Sequence, residues 1–450
     1  MSHSSLSPSR LRLLLLAGLV ALGWMSARPV AAALEDWCGQ EGEKACSPAT
    51  NDYWSNGGKR GCDRGLKPDS ARVCVNDTRY LVTPDAWAVA TLAFQRELTA
   101  DRPINAASWL SSHNAYNTLA DGYYAPNQVY SMTDQLRLGV RHLMLDVHWV
   151  NDMVRLCHGP VCDPRDRFYY HGLRELDHWL RLPENAGEIL LIRFEDDVDD
   201  AYASAMTEPI RLIFGDRVYR PAEKPPDSWP TLNALRSLGK QIIFFSEGNT
   251  WGGQWVFTDW HEPTYPLDKV FHFDRNWPAC TYTDDNGVAW PLDRAAFSEF
   301  YEARLDLGRD TGLINQAVMQ DLLVCGVSVI GTDRLMPARS AHGVWSWAVN
   351  RPNGSGQCAA LRGDDGRWLD ADCAESRPFA CVRPNDPTDW RVTVSTGGWS
   401  AGAAACAAEF PGYNFGLPRN ADENRRLAAL VGDPVWLNLY EPVAAATIFN

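Results

Sequence analysis

Between about residue 102 and residue 350, short apolar runs of strand length alternate with amphipathic runs of helical length, and several of the apolar runs end in polar residues. Strands are expected at 107–111, 142–148, 154–158, 188–195, 241–246, 269–273, 327–332 and 343–348. Helices are expected at 131–138, 173–182, 203–214 and 231–238, with another at about 84–98. So long an alternation predicts an α/β fold built as a parallel (β/α) barrel of TIM type, whose chemistry gathers at the carboxyl ends of its strands. An open doubly wound sheet is the competing architecture, but neither G-x-G-x-x-G nor G-x-x-x-x-G-K follows the early strands.

The rest of the chain divides by composition. Residues 1–33 carry Arg10 and Arg12, an apolar run from Leu13 to Met25, and Ala31-Ala32-Ala33, the pattern of a secretory signal peptide rather than a membrane anchor. No later run has the length of a transmembrane helix. A Cys-rich segment follows at 34–84, the barrel at 85–350, and a small appendage at 351–450. All twelve cysteines lie after the leader, an even number that suits disulfides in an oxidising compartment, so the protein is expected to be secreted or periplasmic. The formal net charge of −14 excludes nucleic acid as a natural partner and gives anionic membranes no general attraction.

Two of the predicted strands end in imidazoles, His113 in S-S-H-N-A-Y-N and His158 in L-C-H-G-P, and the strand between them carries Asp146. Two imidazoles at neighbouring strand ends can cleave a phosphodiester, one taking a hydroxyl proton while the other protonates the leaving oxygen. The alternatives are a turn cap for His113 and a satisfied core ring beside Cys157 and Cys162 for His158. Asp333, ending the run G-V-S-V-I-G-T-D, can orient an imidazole, or pair with Arg334. Asn114, Asp146 and Glu195 are oxygen donors of the kind Ca²⁺ or Mg²⁺ prefers. They equally suit a metal-free hydrogen-bond network in which Arg193 supplies the positive charge to a substrate phosphate. His148 is left without a role.

The segments S-S-H-N-A-Y-N-T, D-Q-L-R-L-G-V-R-H-L-M-L-D-V-H, V-R-L-C-H-G and E-I-L-L-I-R-F-E-D-D resemble the X-region of phosphatidylinositol-specific phospholipase C and related phosphodiesterases, from about Arg102 to Asp197. The resemblance implies a distorted TIM-type barrel, with His113 as general base, His158 as general acid and Asp333 as partner of the base. It matches Asn114, Asp146 and Glu195 to the metal ligands of the calcium-dependent branch. Two positions depart from the pattern: Met144 stands where that branch has a glutamate ligand, and His148 where the calcium-free branch has an arginine.

The tail is similar to parts of a C-type lectin domain in reversed order, with R-P-N at 351–353 and W-L-D at 368–370 in place of the sugar-selecting E-P-N and W-N-D. Both substitutions delete oxygen donors, so a disulfide-stapled structural appendage is expected rather than a glycan site. The sequence thus leads to an exported phosphodiesterase acting on a phospholipid headgroup or a glycerophosphodiester, with transient membrane-surface contact and no transmembrane anchor. The competing reading is an inactive barrel whose tail binds carbohydrate or a surface.

Overall fold

The computed structural model describes residues 44–45, 62, 66–76, 82–123, 125–159, 162, 166–258, 264–266, 272–283, 287–292, 296–302 and 314–441. The expected signal peptide lies outside the described residues. The chain forms two compact units, Met1–Asn76 and Asp77–Asn450. In the first, strands β1 (Leu66–Pro68) and β2 (Cys74–Asn76) pair antiparallel, and Cys62 is bonded to Cys74.

The second unit is organised by one large sheet. Its strands are β3 (Trp109–Ser112), β4 (His142–Val150), β5 (Met153–Leu156), β6 (Leu190–Asp197), β7 (Ile242–Ser246), β8 (Val256–Phe257), β9 (Thr264–Pro266), β13 (Glu299–Tyr301) and β14 (Val329–Thr332). Between β9 and β13, β10 (His272–Asp274), β11 (Thr281–Thr283) and β12 (Ala289–Pro291) make a separate antiparallel sheet. The large sheet runs β8-β7-β6-β4-β3-β14-β13-β9 with every neighbouring pair parallel. Such an order, with the first strand in the middle and the last beside it, is that of a barrel unrolled between its fifth and sixth strands. Among the described residues β8 and β9 are not paired, so the sheet is curled and open where the sequence predicted a full TIM-type ring.

Helices return the chain between strands, and their ends are set locally. Asp85, Ser131, Thr231 and Asn315 cap Ala86–Leu98, Met132–Arg137, Leu232–Ser237 and Gln316–Cys325, each accepting a backbone N–H from inside its helix. Three sequence expectations change in the structure. The segment expected as strand 154–158 is β5, which turns back antiparallel on β4 as a hairpin rather than adding a parallel barrel strand. Of the strand expected at 269–273, residues 272 and 273 belong to β10 of the small antiparallel sheet. No strand forms at 343–348; a 3-10 turn (Ala341–Gly343) leads into an isolated bridge from Trp347 to Trp368. Strands β8, β9 and β13, only two or three residues long, carried too little periodicity to be seen.

Strand alternation divides the enclosed face into a floor and a mouth. At the floor, Trp109, Leu191, Ile243, Phe245, Phe257, Phe297 and Val329 form one apolar cluster with Trp229. Each such side chain contributes about 1.5–3 kcal/mol on burial. Towards the carboxyl ends the same strands present Ser111, Met144, Asp146, Arg193 and Glu195, which the register holds side by side: Met144 opposite Arg193, Asp146 opposite Glu195.

The C-terminal stretch adds two small antiparallel sheets, one of β15 (Cys358–Leu361), β16 (Trp368–Ala371) and β20 (Val435–Tyr440), the other of β17 (Ala380–Arg383), β18 (Asp386–Val392) and β19 (Asn414–Phe415). Disulfides Cys358–Cys373 and Cys381–Cys406 staple it internally. It is fastened to the rest of its unit by Phe94 against Trp347 and Trp368, by the Trp87 indole donating to the Arg351 carbonyl at 2.7 Å, and by the Arg102–Glu423 and Arg419–Asp101 ion pairs.

Candidate active site

His113 follows the last residue of β3 and is buried. Its backbone N–H donates to the Thr332 carbonyl at 3.2 Å. The Gln128 side-chain amide donates to the carbonyls of both His113 and Thr332 at 2.7 Å, and its oxygen accepts from the Leu335 N–H at 3.0 Å. One glutamine thus locks the ends of β3 and β14 together. The His113 Nδ1 lies 2.9 Å from Asp333 Oδ1, so Asp333 pairs with the imidazole. Asp333 is fixed in turn: Asn127 donates to the same oxygen at 3.0 Å, its own N–H donates to Glu302 at 2.6 Å, and Arg339 bridges Glu302 and the Asp333 carbonyl. Burial pushes the pKa of His113 down, but Asp333, with Asp146 and Glu195 beyond it, outweighs that and leaves it raised.

Beside His113, β14 carries Gly331. A Cβ there would stand 2.7 Å from the Tyr301 Cβ, so glycine is what lets Tyr301 approach until its ring centroid lies 4.8 Å from that of His113. Burial raises the Tyr301 hydroxyl well above the ordinary phenol range.

Asp146 is the centre of the mouth and is buried. Tyr116 donates to its Oδ2 at 3.1 Å, and His158 Nε2 stands 3.9 Å from the same oxygen. Burial, then the neighbouring Glu195, push the Asp146 carboxyl up to about 8, against the opposing pull of His113. Asn114, in the left-handed region at φ 46°, brings one end of its amide 2.7 Å from Asp146 Oδ1 and 3.3 Å from Oδ2. With nitrogen at that end the contact is a hydrogen bond. With oxygen there, the nitrogen faces Asn127 Oδ1 at 3.4 Å and three oxygens converge as they do around a hard cation.

His158 stands just beyond β5 on a segment closed by the Cys157–Cys162 disulfide, and its side chain is 45% exposed against 8% for His113. The mouth therefore has a buried imidazole backed by a carboxylate on one side and an open imidazole on the other, with Asp146 between. Arg193 lies beneath, fully buried and ion-paired with Glu299 at 3.4 Å and with Glu247. Met144 is buried beside it.

Sequence reasoning did not single out Tyr116, Asn127, Gln128, Tyr301, Glu302 or Arg339. Tyr116 lies in the S-S-H-N-A-Y-N segment itself and could have been noticed there; the others reach the site from the loop that carries Asn127 and Gln128, from β13 and the residue after it, and from the short helix Pro337–Ser340. As for a cation, Asn114, Asp146 and Glu195 offer an amide and two carboxylates whose crowding is already expressed in the raised Asp146, and this fits a hard divalent ion. Among the described residues no cluster of three or more His, Cys, Asp or Glu has metal-holding geometry.

A model described as the Rv2075c PI-PLC-like domain matches residues 72–339, more than half of the sequence. The chain belongs to this family. Protein Rv2075c of Mycobacterium tuberculosis, itself uncharacterized, is 29% identical to this PI-PLC-like chain over 438 residues, covering 85% of it and 86% of the relative. A PI-PLC X domain-containing protein of Arabidopsis thaliana, At5g67130, is 29% identical over 163 residues, 32% of this chain and 36% of the relative. Among solved structures, a phosphatidylinositol-specific phospholipase C of Staphylococcus aureus is 12% identical with a TM-score of 0.38, covering 55% of this chain and 95% of the other. A calcium-dependent phosphatidylinositol-specific phospholipase C of Streptomyces antibioticus is 16% identical with a TM-score of 0.35, covering 54% and 97%.

In the tail of this PI-PLC-like protein, the oxygens compared above with a sugar site are already engaged. Arg351 donates to Asp370 Oδ1 at 2.9 Å and Asn353 Oδ1 at 3.1 Å, while Asp370 Oδ2 accepts the N–H groups of Asn353 and Ser355. A guanidinium holds the donors together there. Among the described residues no helix is long and apolar enough to cross a membrane.

Proposed function

We propose that this protein is an exported phosphoric diester hydrolase or lyase acting on a phospholipid headgroup or a glycerophosphodiester. The observation that carries the reading is the pairing of buried His113 with Asp333 while His158 faces Asp146, the central carboxylate of the mouth, from the open side. Because Nδ1 of His113 is directed at Asp333, Nε2 is the atom left to accept a proton. In the first step His113 takes the proton of a substrate hydroxyl or a water, that oxygen bonds to phosphorus, and the phosphorus–oxygen bond to the leaving alcohol breaks. His158 gives its proton to the departing oxygen, and its exposure suits exchange of that proton with solvent. Attack by a neighbouring hydroxyl gives a cyclic phosphate; attack by water gives the open monoester.

Asn114, Asp146 and Glu195 would hold a divalent ion, which when bound supplies charge to offset the phosphate and ease ionisation of the attacking hydroxyl. Arg193 is assigned a supporting role: its positive charge lies below Asp146 and orients the phosphate oxygens from beneath. The disulfides among the described residues support export. A phosphorus NMR assay of phosphatidylinositol and glycerophosphodiesters, run with calcium or with EDTA, tests the whole proposal. Turnover that disappears in His113→Ala and His158→Ala supports it; turnover that survives both substitutions, or no turnover of any diester with or without calcium, rejects it.

A further inference from the structure

His148 occupies the position on β4 that sequence comparison left without a role, two residues beyond Asp146 and on the same strand face. Both of its ring nitrogens are engaged. Nε2 accepts the backbone N–H of Gly159 at 3.1 Å, and Nδ1 lies 3.2 Å from Asp197 Oδ2. The chemistry of these contacts fixes the tautomer. A backbone N–H can only donate, so Nε2 carries the lone pair and Nδ1 the proton, which Asp197 accepts. His148 is thus oriented by a carboxylate and grips the peptide group that directly follows His158.

Among the described residues, the segment it grips has few other anchors. His158 is 45% exposed, Gly159 has a φ of 49°, and the Cys157–Cys162 disulfide closes the segment without fixing the peptide plane between. The Cys157 N–H donates to the Asp146 carbonyl at 3.3 Å on one side of His158. The His148 contact pins the other side. With both flanking amides tied to β4, the imidazole between them is presented to Asp146 from a short, two-point mount.

We propose that His148, oriented by Asp197, is a positioning residue that sets the exposed His158 for proton donation to the leaving alcohol. The inference rests on the phosphodiesterase reading for its consequence, though not for the pinning itself. Removing the grip should hurt only leaving groups that need a proton, because a nitrophenolate departs unaided whereas an alkoxide does not. The test compares His148→Leu with His148→Gln, whose amide oxygen reaches the Nε2 position, in the full-length protein, each checked for folding by circular dichroism. Deuterium exchange of peptides ending at Gly159 should quicken about tenfold in His148→Leu relative to the rest of β4. The ratio of kcat for an alkyl diester to kcat for a nitrophenyl diester should fall about tenfold as well. His148→Gln should restore both.

Unchanged exchange in His148→Leu overturns the pinning, and quickened exchange with an unchanged ratio overturns the link to His158. A wild-type protein that cleaves neither diester, while His148→Leu still quickens exchange, sinks the proposed function and leaves the pinning standing.

Discussion

Two aspartates, Asp146 in the mouth of the sheet and Asp370 in the tail, are both buried, yet their surroundings are opposite. Asp370 meets Arg351 and two backbone N–H groups, which outweigh burial and hold its carboxyl below the usual range. Asp146 meets another carboxylate, a tyrosine and two imidazoles, and burial with Glu195 carries it up to about 8. The tail satisfies its charges internally and is built to be stable. The mouth crowds two carboxyl groups together under burial, the kind of perturbation that gathers at functional sites.

The contrast is sharpest in activity. His113→Ala and His158→Ala should each lower diester turnover by about 10²–10⁴-fold, the usual scale of general acid–base catalysis, with thermal unfolding little altered. Asp333→Asn should cost less and should also move the pH profile. Because Asp333 raises His113, and the base acts in its neutral form, removing that carboxylate should shift the acid limb of kcat/KM to lower pH.

In the tail, replacing Cys358 and Cys373 by serine opens a loop of sequence separation 15 and should cost about 3 kcal/mol in denaturant melts while leaving turnover per folded molecule unchanged. Loss of turnover there would break the division between the two regions.

The pH dependence of stability separates the aspartates themselves. Asp146 is raised in the folded state, so its favourable contribution is complete below the ordinary carboxyl range and is lost as pH rises towards about 8. Asp146→Asn should therefore flatten the decline in melting temperature between about pH 5 and 8 and, in EDTA, stabilise the protein by on the order of 2 kcal/mol at the alkaline end. Calcium should lift the wild type and not the variant. Asp370 is depressed, so its contribution is present above the ordinary range and lost on acidification. Asp370→Asn should cost about 1–2 kcal/mol near neutrality and remove part of the acid-side loss.

Much of this was legible in the sequence because strand ends are local features. The runs closing at His113 and near Glu195 each combine apolar burial with a polar terminus, and β3, β4, β6, β7 and β14 lie at or within a few residues of where periodicity placed them. The hairpin of β4 and β5 escaped because a buried antiparallel strand and a buried parallel one read alike. Short β13 escaped too, and with it Tyr301 beside His113.

The sequence by itself determined which side chains could do chemistry, since burying an imidazole or carboxylate at a strand end is unfavourable unless something answers it. What answers each one was decided by tertiary structure. Asp333 reaches His113 across 220 residues, Arg193 is drawn under the mouth between Glu247 and Glu299, and His148 turns to the Gly159 amide and Asp197. These outcomes depend on strand order, register and the curl of the sheet, which bring distant residues within a hydrogen bond's length, and no local pattern encodes that distance.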